Sequence, residues 1–78
     1  MSRFDRITFD PNMMGGRACI RGMRVTVSLV LNLVAQEMST EEILRAYPYL
    51  ESADIRQCLE YAAWLADETV DAVQAATE

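Results

Sequence analysis

The hydrophobic pattern of the first 27 residues is typical of short extended runs separated by turns. Apolar and β-branched residues cluster at 7–9, 18–21 and 24–27, and proline or glycine follows each of the first two runs. Gly22-Met23 lies between the last two runs, and two connecting residues with glycine first are typical of a type II′ hairpin. We therefore predict an N-terminal strand followed by a β-hairpin.

From residue 28 the apolar positions recur at helical spacing. Residues 28–36 are apolar nearly all round, which is typical of a helix that is covered on more than one side. Ser39 and Glu42 have the spacing of a capping box at the start of a short helix that ends before Pro48. Apolar residues three and four apart then predict one helix over 53–75.

The order of these predicted elements indicates a fold class. A strand, a hairpin, an apolar helix, a short helix and a long helix are the outline of a helix-turn-helix with an accompanying wing. We therefore predict a mainly α fold, a small winged or homeodomain-like helix-turn-helix with an N-terminal strand and a β-hairpin.

The first predicted helix is more apolar than one 78-residue subunit can cover. A folded chain of this size buries only about 60% of the surface that its unfolded form exposes. We therefore expect a homodimer or a higher homo-oligomer, with an interface on the 28–36 helix. The interface candidates are Leu29, Val30, Leu33 and Val34.

Charge is distributed unevenly along the chain. All seven basic residues are arginines, and five of them lie in the first 24 positions beside two carboxylates, a net of 5 − 2 = +3. Two arginines and ten carboxylates follow, a net of 2 − 10 = −8. A cationic head on an acidic body suggests directed contact with a partner.

The arginines are the candidate contact residues for a protein partner or for DNA. They are Arg17, Arg21, Arg24 and Arg56. The alternative for the first three is that they form ion pairs with the acidic body of their own or of a partner subunit. Because the 53–75 helix begins with acidic residues, DNA would repel its leading end, and we expect phosphate contacts from the wing arginines instead.

The composition argues against catalysis. The chain has no histidine and no lysine, so the usual general acids, general bases and nucleophile pairs are missing. Cys19 and Cys58 belong to no metal-binding pattern. We therefore expect no enzyme activity, no metal and no cofactor. Since no apolar run has the length of a membrane span and no signal-peptide pattern is found, we also expect a cytoplasmic protein.

Several motifs carry a resemblance to a known family. They are Gly15-Gly16-Arg17, Ile20 through Val27, Ser39-x-Glu41-Glu42-Ile43-Leu44 and Tyr47-Pro48-x-Leu50. In this pattern the chain resembles the domain of unknown function 433 family over nearly the whole domain. That family has a small winged or homeodomain-like helix-turn-helix fold. Its members resemble VapB-type antitoxins and are often encoded beside a PIN-like nuclease that they are thought to neutralise.

The resemblance implies a function and a division of the chain. It implies an antitoxin-like protein that binds and neutralises a PIN-like RNase and that could bind operator DNA for autoregulation. The helix-turn-helix antitoxin-like domain would cover 1–66, and 67–78 would be an acidic helical extension that could extend a dimer, bind the toxin or fray. The alternative is a self-associating protein-interaction module with no nucleic-acid role.

Two positions depart from the pattern of that family. Met23 stands where threonine is usual, and Glu37 stands where a glycine commonly precedes the Met-Ser pair. If the backbone at the second position is left-handed, a residue with a Cβ atom costs about 1 kcal/mol there. We expect the fold to tolerate both changes.

Overall fold

The computed structural model describes the backbone of residues 4–77 and the side chains of residues 4–67. Its elements are the strands β1 (Ile7–Phe9) and β2 (Ala18–Ile20) and the helices α1 (Val27–Ala35), α2 (Thr40–Ala46) and α3 (Ser52–Thr77), with a 3-10 turn at Met14–Gly16 between the strands. The chain therefore has the predicted mainly α fold, a small helix-turn-helix with an N-terminal β-hairpin. The predicted contribution of Val70 and Val73 to the long helix lies outside the described side chains.

The two strands form an antiparallel pair in which Ile7 lies opposite Ile20 and Phe9 lies opposite Ala18. Side chains alternate between the two faces of such a pair, so Ile7 and Ile20 turn towards the helices and are buried. Phe9 stays on the surface with 60% of its area exposed. This exposed ring is part of the surface described below.

The turn after β2 differs from the predicted type II′ hairpin at Gly22-Met23. The backbone φ is 47° at Arg21 and 71° at Gly22, and the Met23 N–H donates to the Ile20 carbonyl at 2.8 Å. Two consecutive positive φ values are typical of a type I′ turn, so the turn is centred one residue earlier. The run 24–27 forms a single bridge between Thr26 and Cys19 instead of a strand, because the chain enters α1 at Val27.

Each of the first two helices begins at a cap that its sequence supplies. The Thr26 hydroxyl accepts a hydrogen bond from the Leu29 N–H at 3.1 Å at the start of α1. The predicted capping box is confirmed at the start of α2, where Ser39 and Glu42 exchange side-chain and backbone hydrogen bonds. Such caps satisfy N–H groups that have no partner inside the helix.

The hydrophobic core joins β2 to all three helices. Its fully buried members are Ile20 from β2, Val30 from α1, Ile43 from α2 and Cys58 from α3. Because one residue from each element meets at the same centre, the core fixes the relative positions of the sheet and the helices. Val25, which lies across the turn from Ile20, is also buried.

The end of α1 has the geometry that makes Glu37 unfavourable. The Glu37 N–H donates to Val34 at 2.9 Å and the Met38 N–H donates to Leu33 at 3.2 Å, which is the hydrogen-bond pattern of a Schellman motif. Glu37 has φ of 68°. The backbone at this position is therefore left-handed, which is the case in which a residue with a Cβ atom is unfavourable.

Replacing this residue by glycine should stabilise the domain. Glu37→Gly removes the contact between Cβ and the following carbonyl oxygen, and we expect the free energy of unfolding to rise by about 1 kcal/mol. The measurement is urea denaturation followed by circular dichroism. Glu37→Ala is the matched control, since it removes the carboxylate but keeps the strained Cβ. Equal stability of the glycine and alanine variants would contradict the assignment to backbone strain.

Candidate interaction surface

A buried carboxylate stands at the start of α3. Asp54 is 1% exposed, and its Oδ2 accepts a hydrogen bond from the Glu51 N–H at 2.9 Å. It thereby occupies the third position of the helix and closes the first turn in the manner of the acidic half of a capping box. Ser52 is the first residue of the helix.

Two arginines from the N-terminal part of the chain, Arg6 and Arg21, contact this carboxylate. Arg21 donates to Asp54 through Nε at 3.1 Å and through Nη2 at 2.9 Å, which is a two-point contact to both oxygens. Arg6 donates through Nη1 at 2.9 Å. These contacts cross 33 and 48 residues of sequence, so they join the β-hairpin to the start of α3.

Each of the two arginines makes one more contact within the subunit, through a nitrogen that also contacts Asp54. Arg21 Nη2 donates to the Tyr49 carbonyl at 2.9 Å, and Arg6 Nη1 donates to Glu51 at 2.8 Å. Arg21 was a candidate for contacting a partner or DNA. In the folded subunit its guanidinium forms the intramolecular ion pair that the sequence left open as the alternative for the wing arginines.

The ion pairs set the protonation state of Asp54. Burial alone raises the pKa of this carboxyl, but hydrogen bonds from Arg21, from the Glu51 backbone and from Arg6 outweigh burial, and the pKa lies below its usual range. The hydrogen bond to Asp54 likewise raises the pKa of Arg21. Asp54 is therefore a carboxylate at neutral pH, and both arginines are cations.

The other described arginines remain available to a partner. Arg17, Arg24, Arg45 and Arg56 are exposed, and none of them forms an ion pair with a residue that the structure describes. Arg17 precedes β2 and Arg24 follows the turn, so they lie beyond opposite ends of this strand. Three of the four candidate arginines thus keep free guanidinium groups on the described surface.

An open groove of about 360 Å³ lies between β2, α1 and α3, and we call it the aromatic groove. Its lining consists of Arg17, Ala18, Thr26, Val27, Ser28, Leu31, Tyr61 and Leu65. The Trp64 ring stacks on Tyr61 with centroids 6.2 Å apart, and the Phe9 ring lies 6.3 Å from the same tyrosine. Phe9, Trp64 and Leu65 are 60%, 40% and 42% exposed. A contiguous exposed surface of large apolar side chains is typical of an interaction site.

The candidate interface residues of α1 divide into two groups. Val30 is fully buried within the subunit, where it contributes to the core. Leu29, Leu33 and Val34 pack against that core and keep part of their surface exposed. A second groove of about 390 Å³ lies between α2 and the start of α3 and includes Arg56 and Leu59.

The described residues contain no arrangement that suggests metal or nucleophile chemistry. Among them, no three His, Cys, Asp or Glu side chains come together as metal ligands would. Both cysteines are free and buried, and burial raises the pKa of the Cys58 thiol to about 11. A thiol with such a pKa is a poor nucleophile near pH 7. No described helix is long and apolar enough to cross a membrane.

Sequence reasoning missed the two features that define this surface. It assigned no ion pair to Asp54, and it did not recognise Phe9 as exposed. The pairing of Asp54 with Arg6 and Arg21 carries no local sequence signal, since the partners are far apart in the chain. The exposure of Phe9 could have been predicted from the sequence. Strand alternation places Phe9 on the same face as Ile7, but a short edge strand leaves the end of that face uncovered.

Comparisons with known proteins give a family and one relative. The family described as "Protein of unknown function (DUF433)" matches residues 7–62. "Uncharacterized protein y4eO" from Sinorhizobium fredii (strain NBRC 101917 / NGR234) is 39% identical over 56 residues, which are 72% of this chain and 25% of the relative. The chain thus spans about a quarter of the length of the curated relative it matches. No solved structure matches the chain.

The ion pairs at Asp54 predict a large loss of stability when the carboxylate is neutralised. Asp54→Asn keeps an oxygen for the Glu51 N–H but leaves two neighbouring guanidinium groups without a counter-charge. Breaking a buried pair costs about 3–5 kcal/mol, and since the arginine side chains are 31% and 35% exposed, we expect about 2 kcal/mol at pH 7. Urea denaturation measures this loss in the free energy of unfolding, and the variant Asp67→Asn, at an exposed position, is the control.

The same variant tests how the contribution of Asp54 to stability depends on pH. Because the pKa of Asp54 is lowered on folding, its contribution is present at neutral pH and disappears as pH falls below about 4. The difference in unfolding free energy between wild type and Asp54→Asn should therefore shrink between pH 5 and pH 3. A difference that stays constant over this range would contradict the role of the charge.

Proposed function

The chain belongs to the DUF433 family of proteins of unknown function, and from this premise we propose that it is an antitoxin-like docking protein that binds and neutralises a PIN-like RNase. The proposed role is binding and not catalysis. The observation that carries the proposal is the exposed, unpaired guanidinium of Arg24 on a rigidly held stretch of backbone.

The backbone on either side of Arg24 is fixed by hydrogen bonds. The Met23 N–H donates to Ile20 at 2.8 Å, and the Ile20 N–H donates to Val25 at 2.9 Å. Val25 and Thr26, which follow directly, are buried. The base of the Arg24 side chain is therefore held in place while its guanidinium stays exposed, and a pre-positioned side chain loses less conformational entropy on binding.

Charge complementarity supports a nuclease as the partner. PIN-like nucleases hold their metal with carboxylates, and a guanidinium matches a carboxylate in shape and charge. Folding engages Arg6 and Arg21 with Asp54 and leaves Arg24 as the arginine next to the turn. We propose that Arg24 enters the acidic site of the RNase and blocks access of RNA to it.

Operator binding is the second part of the proposed function. The start of α3 carries Glu51 beside the buried Asp54, and an acidic end disfavours the approach of that helix to phosphates. A DNA contact would therefore use Arg24, which a dimer would present twice. The alternative function, a self-associating interaction module without a nucleic-acid role, would use the same exposed apolar surfaces and no DNA.

Inhibition of the RNase tests the first part. The product of the gene adjacent to its own is assayed for cleavage of a fluorogenic RNA, and the chain is titrated into that reaction. We expect stoichiometric inhibition by wild type and at least about tenfold weaker inhibition by Arg24→Glu, because a buried interfacial charge pair is worth several kcal/mol. Arg45→Glu makes the same charge change on α2 and should inhibit like wild type. Absence of inhibition by wild type, or equal loss in both variants, would overturn the proposal.

A mobility-shift assay on the DNA upstream of the gene tests the second part. At low and at physiological salt, we expect a complex with wild type and with Arg45→Glu and a weaker complex with Arg24→Glu. No complex with wild type at low salt would remove the operator role and favour the interaction module, while leaving the inhibition test to decide the first part.

A further inference from the structure

The long helix extends well beyond the body of the domain. Cys58 is the last buried residue among the described residues of α3, and Ala63 through Asp67 are all exposed. The helix continues to Thr77, 77 − 58 = 19 residues or about 28 Å beyond Cys58. The family match ends at residue 62, so the part of the helix after that residue is an extension beyond the matched domain.

The sequence of this extension is acidic with apolar positions between the charges. Residues 66–78 contain four carboxylates, those of Asp67, Glu68, Asp71 and Glu78, and no basic residue. Val70 and Val73 lie among them. An amphipathic, negatively charged helix of this kind fits a surface that is apolar with positive charge beside it.

The aromatic groove offers such a surface. Leu31, Tyr61 and Leu65 supply its apolar lining, and the exposed Arg17 supplies a guanidinium with no ion pair among the described residues. The first residues of α1 also line the groove, and the N-terminal end of a helix carries partial positive charge. Trp64 and Phe9 extend the apolar area beside the groove.

The extension cannot fill the groove of its own subunit. Tyr61 and Leu65 line the groove from α3 itself, and the same continuous helix then runs about 18 Å further from Leu65 to Thr77. A second copy can bring its extension back over the groove when the two α3 helices run antiparallel. A two-fold axis near residue 68 pairs residue 65 of one copy with residue 71 of the other, so both grooves are filled at once.

We propose that the acidic end of α3, residues 67–77, of one copy occupies the aromatic groove of a second copy, and the reverse, with Arg17 facing Asp71 of the partner. Both halves of the contact are present in the same chain, as the exposed Arg17 at the groove and the carboxylates of the extension. This dimer does not depend on the RNase-neutralising role. It places self-association on α3, the β2 edge and the first residues of α1 instead of on the predicted interface residues Leu29, Val30, Leu33 and Val34.

A charge-swap cycle on the full chain tests the proposal. Sedimentation velocity over a range of concentrations measures the dimer dissociation constant. We expect Arg17→Glu and Asp71→Arg each to weaken the dimer at least about tenfold, since each places like charges across the contact, and the double variant to recover most of the loss. Arg45→Glu is the matched control and should dimerise like wild type.

The single tryptophan gives a second, local readout. Trp64 is 40% exposed beside the groove, so its emission should shift to shorter wavelength as wild type associates and should stay unshifted in Arg17→Glu at the same concentration. Far-UV circular dichroism and the melting temperature show that the variants are folded. A monomer at all concentrations, a dimer that neither charge reversal weakens, or association without a change in Trp64 emission would overturn the proposal.

Discussion

Burying the carboxylate of Asp54 is tolerable only because two guanidinium groups and a backbone N–H surround it. This requirement ties the segment before β1 and the turn after β2 to the first turn of α3. The same contacts explain why Arg21 holds a left-handed conformation, with φ of 47°. Its two-point contact with Asp54 and its bond to the Tyr49 carbonyl offset a backbone cost of about 1 kcal/mol.

The ion pairs also decide which charges remain for a partner. The N-terminal segment carries an excess of arginines in the sequence, but the structure engages Arg6 and Arg21 within the subunit. The N-terminal segment therefore offers less positive charge to a partner in the folded protein than its sequence suggests. What remains on the described surface is a set of separate guanidinium groups, of which Arg17 and Arg24 lie beyond opposite ends of β2. Separate single arginines beside apolar surface suit the recognition of a protein better than binding to the many phosphates of a nucleic acid.

Local sequence signals predicted the helices well, because caps and apolar spacing act over a few residues. The Ser39–Glu42 capping box and the left-handed Glu37 follow from contacts within one turn of chain. The sequence pattern placed the turn after β2 one residue too late, because glycine at either central position fits a primed turn. The positive φ of Arg21 is explained by its contact with the distant Asp54, which the local sequence does not indicate. Long-range pairing of this kind leaves no trace in spacing or composition. The candidate arginines were named as a set, and the sequence could not show which of them the fold engages.

The positions of Arg17 and Arg24 connect self-association with partner binding. About four residues of extended chain, or about 13 Å, separate them across β2, so a contact that covers the aromatic groove leaves the turn uncovered. A dimer joined through the ends of α3 would therefore present two Arg24 side chains, one on each subunit. Since the two subunits are related by a two-fold axis, each would offer the same surface to one subunit of a dimeric partner. Once one subunit of such a partner is bound, the effective concentration of the second site rises. The extension of α3 beyond the family-matched residues would in this way strengthen the binding of a dimeric partner without touching it.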